Sequence, residues 1–525
     1  MTAPAAPVNP GMVTLTIEGR AVIVPPGTNL IEAAKTAGIL IPHYCYHPSL
    51  PVAGVCRMCL VEVEKFPKLT PACATSVGEG QVVHVHSDKA REARKGVLEF
   101  LLINHPLDCP ICDQAGECEL QDYTFAEGRK DSRYMEPKRF NPMEDFGGDV
   151  LYVPNRCILC TRCVRFMDVV ANDPVLNVSE RGDRAYIGKF EGSDLTHAWA
   201  SNVVDLCPVG ALLSKDFLNK ARAWELDRAP SVCPSCSQGC NVTLETRDDV
   251  VVRLRPRPNL AVNQHFACDV GRLNYRWINR RDRLEYPQVR TPQGLVTASW
   301  RDALTAAAAA IGAAARVTVL ASPALSNETL FLLSRIVSHV GATAVMTVAR
   351  GPEAPLPGVK DLSLRAERAP NHTGATLFGF TDVTEPLAGL GANDLLIVAD
   401  AAAAVSVVPD GVRVLVIGTV LDAVLREAAI VALPIANFAE EDGTFTNLRG
   451  RVQRFQQAKA PPAQVRPSHH VVGELATAIG AGSYPALASD LFATMASSVP
   501  AFTGLTYRTL GLQGAMAALP AGTTA

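Results

Sequence analysis

The densest chemistry in the chain is Cys157-Ile-Leu-Cys160-Thr-Arg-Cys163, answered further on by Cys207-Pro208. Thiols at C-x2-C-x2-C spacing cannot lie along a flat backbone. The chain must wrap so that each sulfur points inward at a separate corner of one small object. A cubane iron–sulfur cluster, whose irons each take one thiolate, is such an object. Cys207 offers a fourth thiol. No second trio of this spacing exists, so Cys207 is expected to complete the same [4Fe–4S] site. Zinc held by four cysteines is the alternative, although such sites commonly draw two Cys from each of two loops.

The chain has 15 Cys in 525 residues, all between Cys45 and Cys268. That is too long a chain for a disulfide-stapled miniature fold, and many thiols in a reducing compartment point to metal ligation. Apart from the first set, the thiols fall into three groups: Cys45-x10-Cys56-x2-Cys59-x13-Cys73, Cys109-x2-Cys112-x5-Cys118 and Cys233-x2-Cys236-x3-Cys240-x27-Cys268. The middle group is one ligand short. His105, separated from Cys109 by three residues, is expected to fill the place, because an imidazole nitrogen suits iron.

A net charge of −3 and a pI near 6.4 argue against a general nucleic-acid binder. No basic segment followed by an apolar one reads as a signal peptide, and no apolar run is long enough for a transmembrane helix. Residues 1–11 are Ala/Pro-rich and read as a disordered tail. Alternating Val13, Leu15 and Ile17, then Ala21–Val24, predict a β-hairpin. Thr28 is placed to cap a helix through Ala37, with Gly38 as its stop. Hairpin, helix and then the Cys45 set together resemble the β-grasp of two-iron ferredoxins. Residues 12–90 are therefore expected to hold a [2Fe–2S] site, a four-Cys zinc loop being the alternative. Small residues at Ala53-Gly54-Val55 let backbone N–H groups approach the sulfurs. Lys89–Asn104 reads as a helix with Val97, Leu98, Leu101 and Leu102 on one face, and Arg129–Pro154 as a polar surface connector. Arg156, Arg162 and Arg165 flank the cubane thiols. They are either ordinary solvated charge or charge paired with acidic partners or, if close to the cluster, a field that favours its reduced state.

Three motifs together resemble the large iron–sulfur subunit family of bacterial respiratory complex I. They are Gly54-Val-Cys56-Arg-Met-Cys59-Leu-Val-Glu, Cys109-Pro-Ile-Cys112-Asp-Gln-Ala-Gly-Glu-Cys118-Glu-Leu-Gln-Asp and Cys157-Ile-Leu-Cys160-Thr-Arg-Cys163-Val-Arg-Phe. Ala115 stands where that family often has Gly. Iron–sulfur subunits of NAD-linked hydrogenases and formate dehydrogenases share the first two motifs. They commonly continue with eight Cys for two clusters, whereas this chain has one set of four. The resemblance implies an electron-transfer subunit of NADH:quinone oxidoreductase, with no substrate site of its own. Electrons would run from the [2Fe–2S] site through the Cys157/Cys207 cubane and the His105 cubane towards quinone. Implied partners are other peripheral-arm subunits, notably a flavin- and NADH-binding subunit and a membrane-proximal iron–sulfur subunit. The implied location is peripheral, on the cytoplasmic side of the inner membrane. A hydrogenase or formate dehydrogenase subunit and a zinc-stapled scaffold are the alternatives.

The Cys233, Cys236, Cys240 and Cys268 spacing resembles the [4Fe–4S] module at the front of molybdopterin oxidoreductases, with structural zinc again the alternative. Val270 stands where those enzymes often carry Lys. Strands at Val317–Ala321, Asp394–Ala399 and Val412–Ile417, with helical runs such as Asn327–Val340, predict an α/β domain with a largely parallel sheet. Glu440-Glu-Asp-Gly443-Thr-Phe-Thr-Asn447-Leu-Arg-Gly450-Arg resembles the E-x-x-G-T-x-x-N-x-E-G-R signature of the same family, with Arg449 in place of Glu. The sequence stops soon after it, which implies a shortened domain. The expected order is thus a [2Fe–2S] domain at 12–90, a one-His three-Cys [4Fe–4S] module at 91–135 and a ferredoxin-like [4Fe–4S] module at 148–222. A molybdopterin-oxidoreductase-type [4Fe–4S] module at 226–282 and a cofactor-free α/β domain at 283–525 complete it. No molybdopterin, flavin or NAD is expected on the chain. Gly389-Leu-Gly391 lacks the glycine set of a dinucleotide loop.

Overall fold

The computed structural model describes residues 11–519, so the tail expected at residues 1–11 lies, apart from Gly11, outside the described residues. The chain divides into two compact units. One runs to Glu225 and includes Leu356–Lys360, and the other holds the rest.

The first unit opens with a five-stranded sheet in the order Arg20–Val24, Val13–Ile17, Val82–His84, Leu60–Val63, Thr70–Pro71. Val13–Ile17 runs parallel to Val82–His84, and the other pairings are antiparallel. The helix Leu30–Thr36 lays Leu30, Ile31, Ala33 and Ala34 into the core, which is the β-grasp arrangement. Its cap is Asn29, not Thr28: the Asn29 carboxamide oxygen accepts the Glu32 N–H at 3.0 Å, whereas Thr28 Oγ1 donates to the Pro25 carbonyl at 2.7 Å. Gly38, at φ +70°, ends the helix as expected.

The helix Asp88–Leu102 starts at the Ser87 cap and differs from expectation on its inner face. Leu98 is buried, but its companion there is Arg94, at 0% exposure, paired with Glu127 at 3.2 Å and donating to the Val85 carbonyl at 2.9 Å. That pairing ties the sheet, this helix and the helix Glu119–Glu127 together. The expected surface connector is also partly wrong. Glu144–Gly147 and Val150–Tyr152 form a hairpin, extended by Leu212–Ser214. Phe146, Val150 and Tyr152 are buried. The apolar alternation is only three residues strong and is interrupted by the Gly147-Gly148 turn, so its period is too short to register.

In the second unit, Asp227–Val232, Asn241–Arg247 and Val250–Pro256 form an antiparallel meander. An eight-stranded sheet follows. Its parallel heart is Thr343–Met346, Val317–Ala321, Leu395–Ala399, Arg413–Gly418 and Ala429–Pro434. Val317–Ala321 and Leu395–Ala399 are buried along their whole length, as strands covered on both faces must be. The helix Asn327–Val340 begins at Ser326, whose hydroxyl accepts the Thr329 N–H at 3.2 Å, and stops at Gly341. Among the described residues no helix is long and apolar enough to cross a membrane.

Candidate metal centres

The four thiols of the Cys45 set converge. Cys59 leads into the strand Leu60–Val63, Cys73 sits in the turn Ala72–Ala74, and Leu60 pairs with Pro71 across the sheet. Positive φ at Gly54 and Arg57 turns the intervening loop back on itself. The Cys45 N–H donates to Cys56 Sγ at 3.5 Å. Thiol hydrogen bonds link Cys45 to Cys56 and Cys73, and Cys59 to Cys73. They hold the Cys45 and Cys59 thiols below the usual range and push Cys56 and Cys73 up. The Tyr46 hydroxyl anchors the loop to the first helix by donating to Glu32 Oε1 at 3.0 Å.

Near His105, Lys138 Nζ donates to the Leu102 and Ile103 carbonyls at 2.8 Å each, fixing the end of the helix that delivers the imidazole. The His105 Nδ1 is buried with no hydrogen-bond partner among the described residues. Burial, then the charges of Lys138 and Arg156, lowers its pKa to about 4. A neutral, unpartnered ring nitrogen is what a metal ligand requires. Cys112 and Cys118 are buried and Cys109 is exposed. A methyl group on Gly210 would lie 2.2 Å from Cys112 Sγ, so the backbone after Cys207 forms a wall of this centre. Arg156, almost fully buried rather than solvated, bridges to Asp108 at 2.9 Å and places its charge beside Cys112.

Cys157, Cys160, Cys163 and Cys207 line one small cavity with Tyr152, Ile187 and Leu212. Leu159 and Thr161 both adopt positive φ (53° and 59°), which is how so short a spacing turns three sulfurs inward. Burial pushes the thiols up, Cys157 and Cys207 to about 11 and Cys160 to about 12. Thiolates in such a place need a cation to stay ionised. Leu159 N–H and the Tyr152 hydroxyl both donate to Cys157 Sγ, the former at 3.4 Å. Tyr152 is not singled out by the sequence because it lies in the stretch that reads as a connector. Its only signal is an aromatic residue in a weak apolar alternation.

In the second unit, Cys233, Cys236 and Cys240 occupy the hairpin loop that follows the Val232–Asn241 pair. Cys268 caps the helix Asp269–Leu273 and accepts the Gly271 N–H at 3.2 Å. All four thiols are buried. A methyl on Gly271 would meet Cys233 Sγ at 2.9 Å and Cys268 Sγ at 3.3 Å, so both sulfurs close on one bare backbone position. The Glu440–Arg451 motif and the strand Arg451–Phe455 that follows hold this loop: Asn447 Nδ2 donates to the Gln238 carbonyl at 3.2 Å, and Gln453 Nε2 to the Gly239 carbonyl at 2.8 Å. Among the described residues no group of three or more His, Cys, Asp or Glu side chains is arranged to hold a single metal ion.

Residues 11–88 match the 2Fe-2S iron-sulfur cluster binding domain, 94–133 the NADH-ubiquinone oxidoreductase-G iron-sulfur binding region, and 147–213 the ferredoxin-like domain of NADH-quinone oxidoreductase subunit 3. Over 332 residues the chain is 40% identical to the G subunit of the NADH-quinone oxidoreductase of Rickettsia bellii, covering 63% of this chain and 49% of that protein. Over that length the chain is similar to that G subunit. It is likewise similar to the mitochondrial 78 kDa subunit of NADH-ubiquinone oxidoreductase from Candida albicans, at 40% identity over 64% of this chain and 47% of that one. The chain spans about half the length of the curated relatives it matches. Residues 226–280 match the molybdopterin oxidoreductase Fe4S4 domain, and 283–415 with 390–478 the molybdopterin oxidoreductase family. A solved NAD+-reducing [NiFe]-hydrogenase is also similar, at 30% identity and a TM-score of 0.37, covering 40% of this chain and 90% of that chain. The fold of the chain is therefore an N-terminal 2Fe-2S domain, ferredoxin-like 4Fe-4S modules and a C-terminal molybdopterin-oxidoreductase-like domain.

Proposed function

We propose that this G-subunit homologue relays electrons within a proton-translocating NADH:quinone oxidoreductase, between a flavin- and NADH-binding partner and a membrane-proximal iron–sulfur partner, at the cytoplasmic face of the membrane. The observation that carries the reading is that all fifteen Cys fall into four sets. The one set short of a thiol is preceded by His105, whose ring nitrogen is buried and unpartnered among the described residues. The ligands are a [2Fe–2S] set of Cys45, Cys56, Cys59 and Cys73, and three [4Fe–4S] sets. These are His105 with Cys109, Cys112 and Cys118; Cys157, Cys160, Cys163 and Cys207; and Cys233, Cys236, Cys240 and Cys268. Bound there, iron–sulfur clusters supply one-electron chemistry. The protein's own part is to keep the thiols buried, exclude water and offer N–H and O–H donors to the sulfurs, as Leu159 and Tyr152 do at Cys157. Such donors offset negative charge on sulfur and raise a cluster's potential.

Iron and acid-labile sulfide analysis of anaerobically purified protein is expected to give about fourteen irons per chain, with no stoichiometric molybdenum. Zinc without sulfide would establish the scaffold alternative. Molybdenum or tungsten with formate oxidation would establish a formate dehydrogenase subunit. His105→Cys replaces a neutral ligand by a thiolate. Its centre should then titrate lower by on the order of 100 mV, taking one charge a few ångströms away in a protein-like dielectric. An unchanged midpoint and EPR spectrum would mean that His105 is not a ligand.

A further inference from the structure

Two arginines that the sequence places beside the Cys157 thiols reach across to the Cys45 loop. Arg162, at 4% exposure, donates through Nη2 to the Tyr46 carbonyl at 2.8 Å and through Nη1 to the Leu206 carbonyl at 3.2 Å. Tyr46 follows Cys45 and Leu206 precedes Cys207. Arg165 repeats the pattern from the next turn. Its Nη2 donates to the Cys45 carbonyl at 2.5 Å and to the Cys160 carbonyl at 3.1 Å, and its Nη1 to the Pro51 carbonyl. Each guanidinium thus joins the chain at a ligand of one centre to the chain at a ligand of the other. Carbonyl partners do not neutralise a cation. Among the described residues the carboxylate in contact is Glu119, 3.3 Å from Arg162 on the side of Cys118. Arg165 lies close enough to the Cys45, Cys160 and Cys163 sulfurs for their charges to act on it.

We propose that Arg162 and Arg165 are positioning residues that form a cationic junction between the Cys45 centre and the Cys157/Cys207 centre. They set the gap between the two and favour the reduced state of both. The inference rests on the cluster assignment proposed above. Two planar forks, each held by carbonyls from both loops, define a separation more tightly than packing alone. The charge of Arg162 acts in a buried place and that of Arg165 in a half-buried one, where a cation stabilises the extra electron at either centre. Glu119 offsets part of the Arg162 charge toward Cys118, so the His105 centre should feel the junction least.

The test is potentiometric EPR on the full-length protein, with iron counted per chain. Arg162→Gln and Arg165→Gln are each expected to shift the midpoints of the Cys45 and Cys157 centres negative, with the smallest shift at the His105 centre. Arg162→Lys and Arg165→Lys keep the charge and are expected to stay near the unsubstituted protein. A Gln variant that retains its iron with both midpoints unmoved overturns the proposal. So does a Lys variant that shifts as far as its Gln counterpart. If both Gln variants lose iron while both Lys variants keep it, the need for charge at the junction stands. If the Lys variants lose it as well, the arginines are only a structural clamp and the proposal fails. Absence of clusters from the unsubstituted protein would instead overturn the cluster assignment.

Discussion

Gly210→Ala is expected to empty the His105 centre while leaving the other three loaded. The added Cβ would sit 2.2 Å from Cys112 Sγ and 3.1 Å from the Gln114 Cβ. No sulfur–carbon contact survives at that distance, and neither neighbour can easily retreat. Cys112 is held by its own carbonyl, which accepts from Arg222 at 2.7 Å. Gly210 itself is tied to the chain leaving Cys207. The backbone there is not in the left-handed region, so the glycine is required for space and not for conformation. Alanine would have to displace the Cys112 sulfur, a proposed ligand, by more than an ångström, and a metal–thiolate bond tolerates a few tenths. The expected result is a loss of about four irons per chain, together with the EPR signal of that centre. Full iron content with an unaltered spectrum would show that Cys112 does not ligate a cluster from this position.

The second large effect is on stability and lies in the other unit. Arg283 and Glu440 form a two-armed ion pair with both contacts at 2.8 Å, at 3% and 0% side-chain exposure. Glu440 also accepts the Asn437 N–H at 3.1 Å, and Arg283 donates to the Thr419 and Ile435 carbonyls at 3.1 and 3.2 Å. The pair therefore staples the start of the Glu440–Arg451 motif to the end of the strand Ala429–Pro434. Glu440→Ala leaves a guanidinium buried without its counter-charge, a change that costs about 3–5 kcal/mol. Hydrogen exchange at the amides of residues 429–433 is the measurement, since it reads the free energy of opening locally. Removing both partners, as Glu440→Ala with Arg283→Met, should recover part of the loss, because the buried guanidinium goes with the carboxylate and leaves only Lys459, which also pairs with Glu440 at 3.6 Å, without its partner. Equal protection in Glu440→Ala and the unsubstituted protein would mean that water already reaches the pair.

The proposed thiol groupings come from the sequence because closely spaced ligands form local objects. A spacing of two residues leaves the backbone few ways to present three sulfurs, and the positive φ at Leu159 and Thr161 is the form it takes. The buried strands Val317–Ala321 and Leu395–Ala399 were legible for a similar reason, since a run apolar at every position must be covered on both faces. The cap at Asn29 instead of Thr28 and the hairpin hidden in the expected connector were local too. There, two adjacent capping residues competed in one case, and three alternating apolar residues were too few in the other. What joins one centre to the next was decided only by tertiary structure. Arg94, Arg156, Arg162 and Arg165 carry the same side chain as any surface arginine. Their burial, and the carbonyls and carboxylates that receive them, come from elements distant in the chain. Gly210 gave no signal of its own either: a glycine two residues after a Cys–Pro pair reads as a turn until the fold brings Cys112 against it. Spacing specifies which atoms can gather at one point, because that is a matter of a few backbone angles. How such points are set relative to one another depends on packing between elements, which no local pattern records.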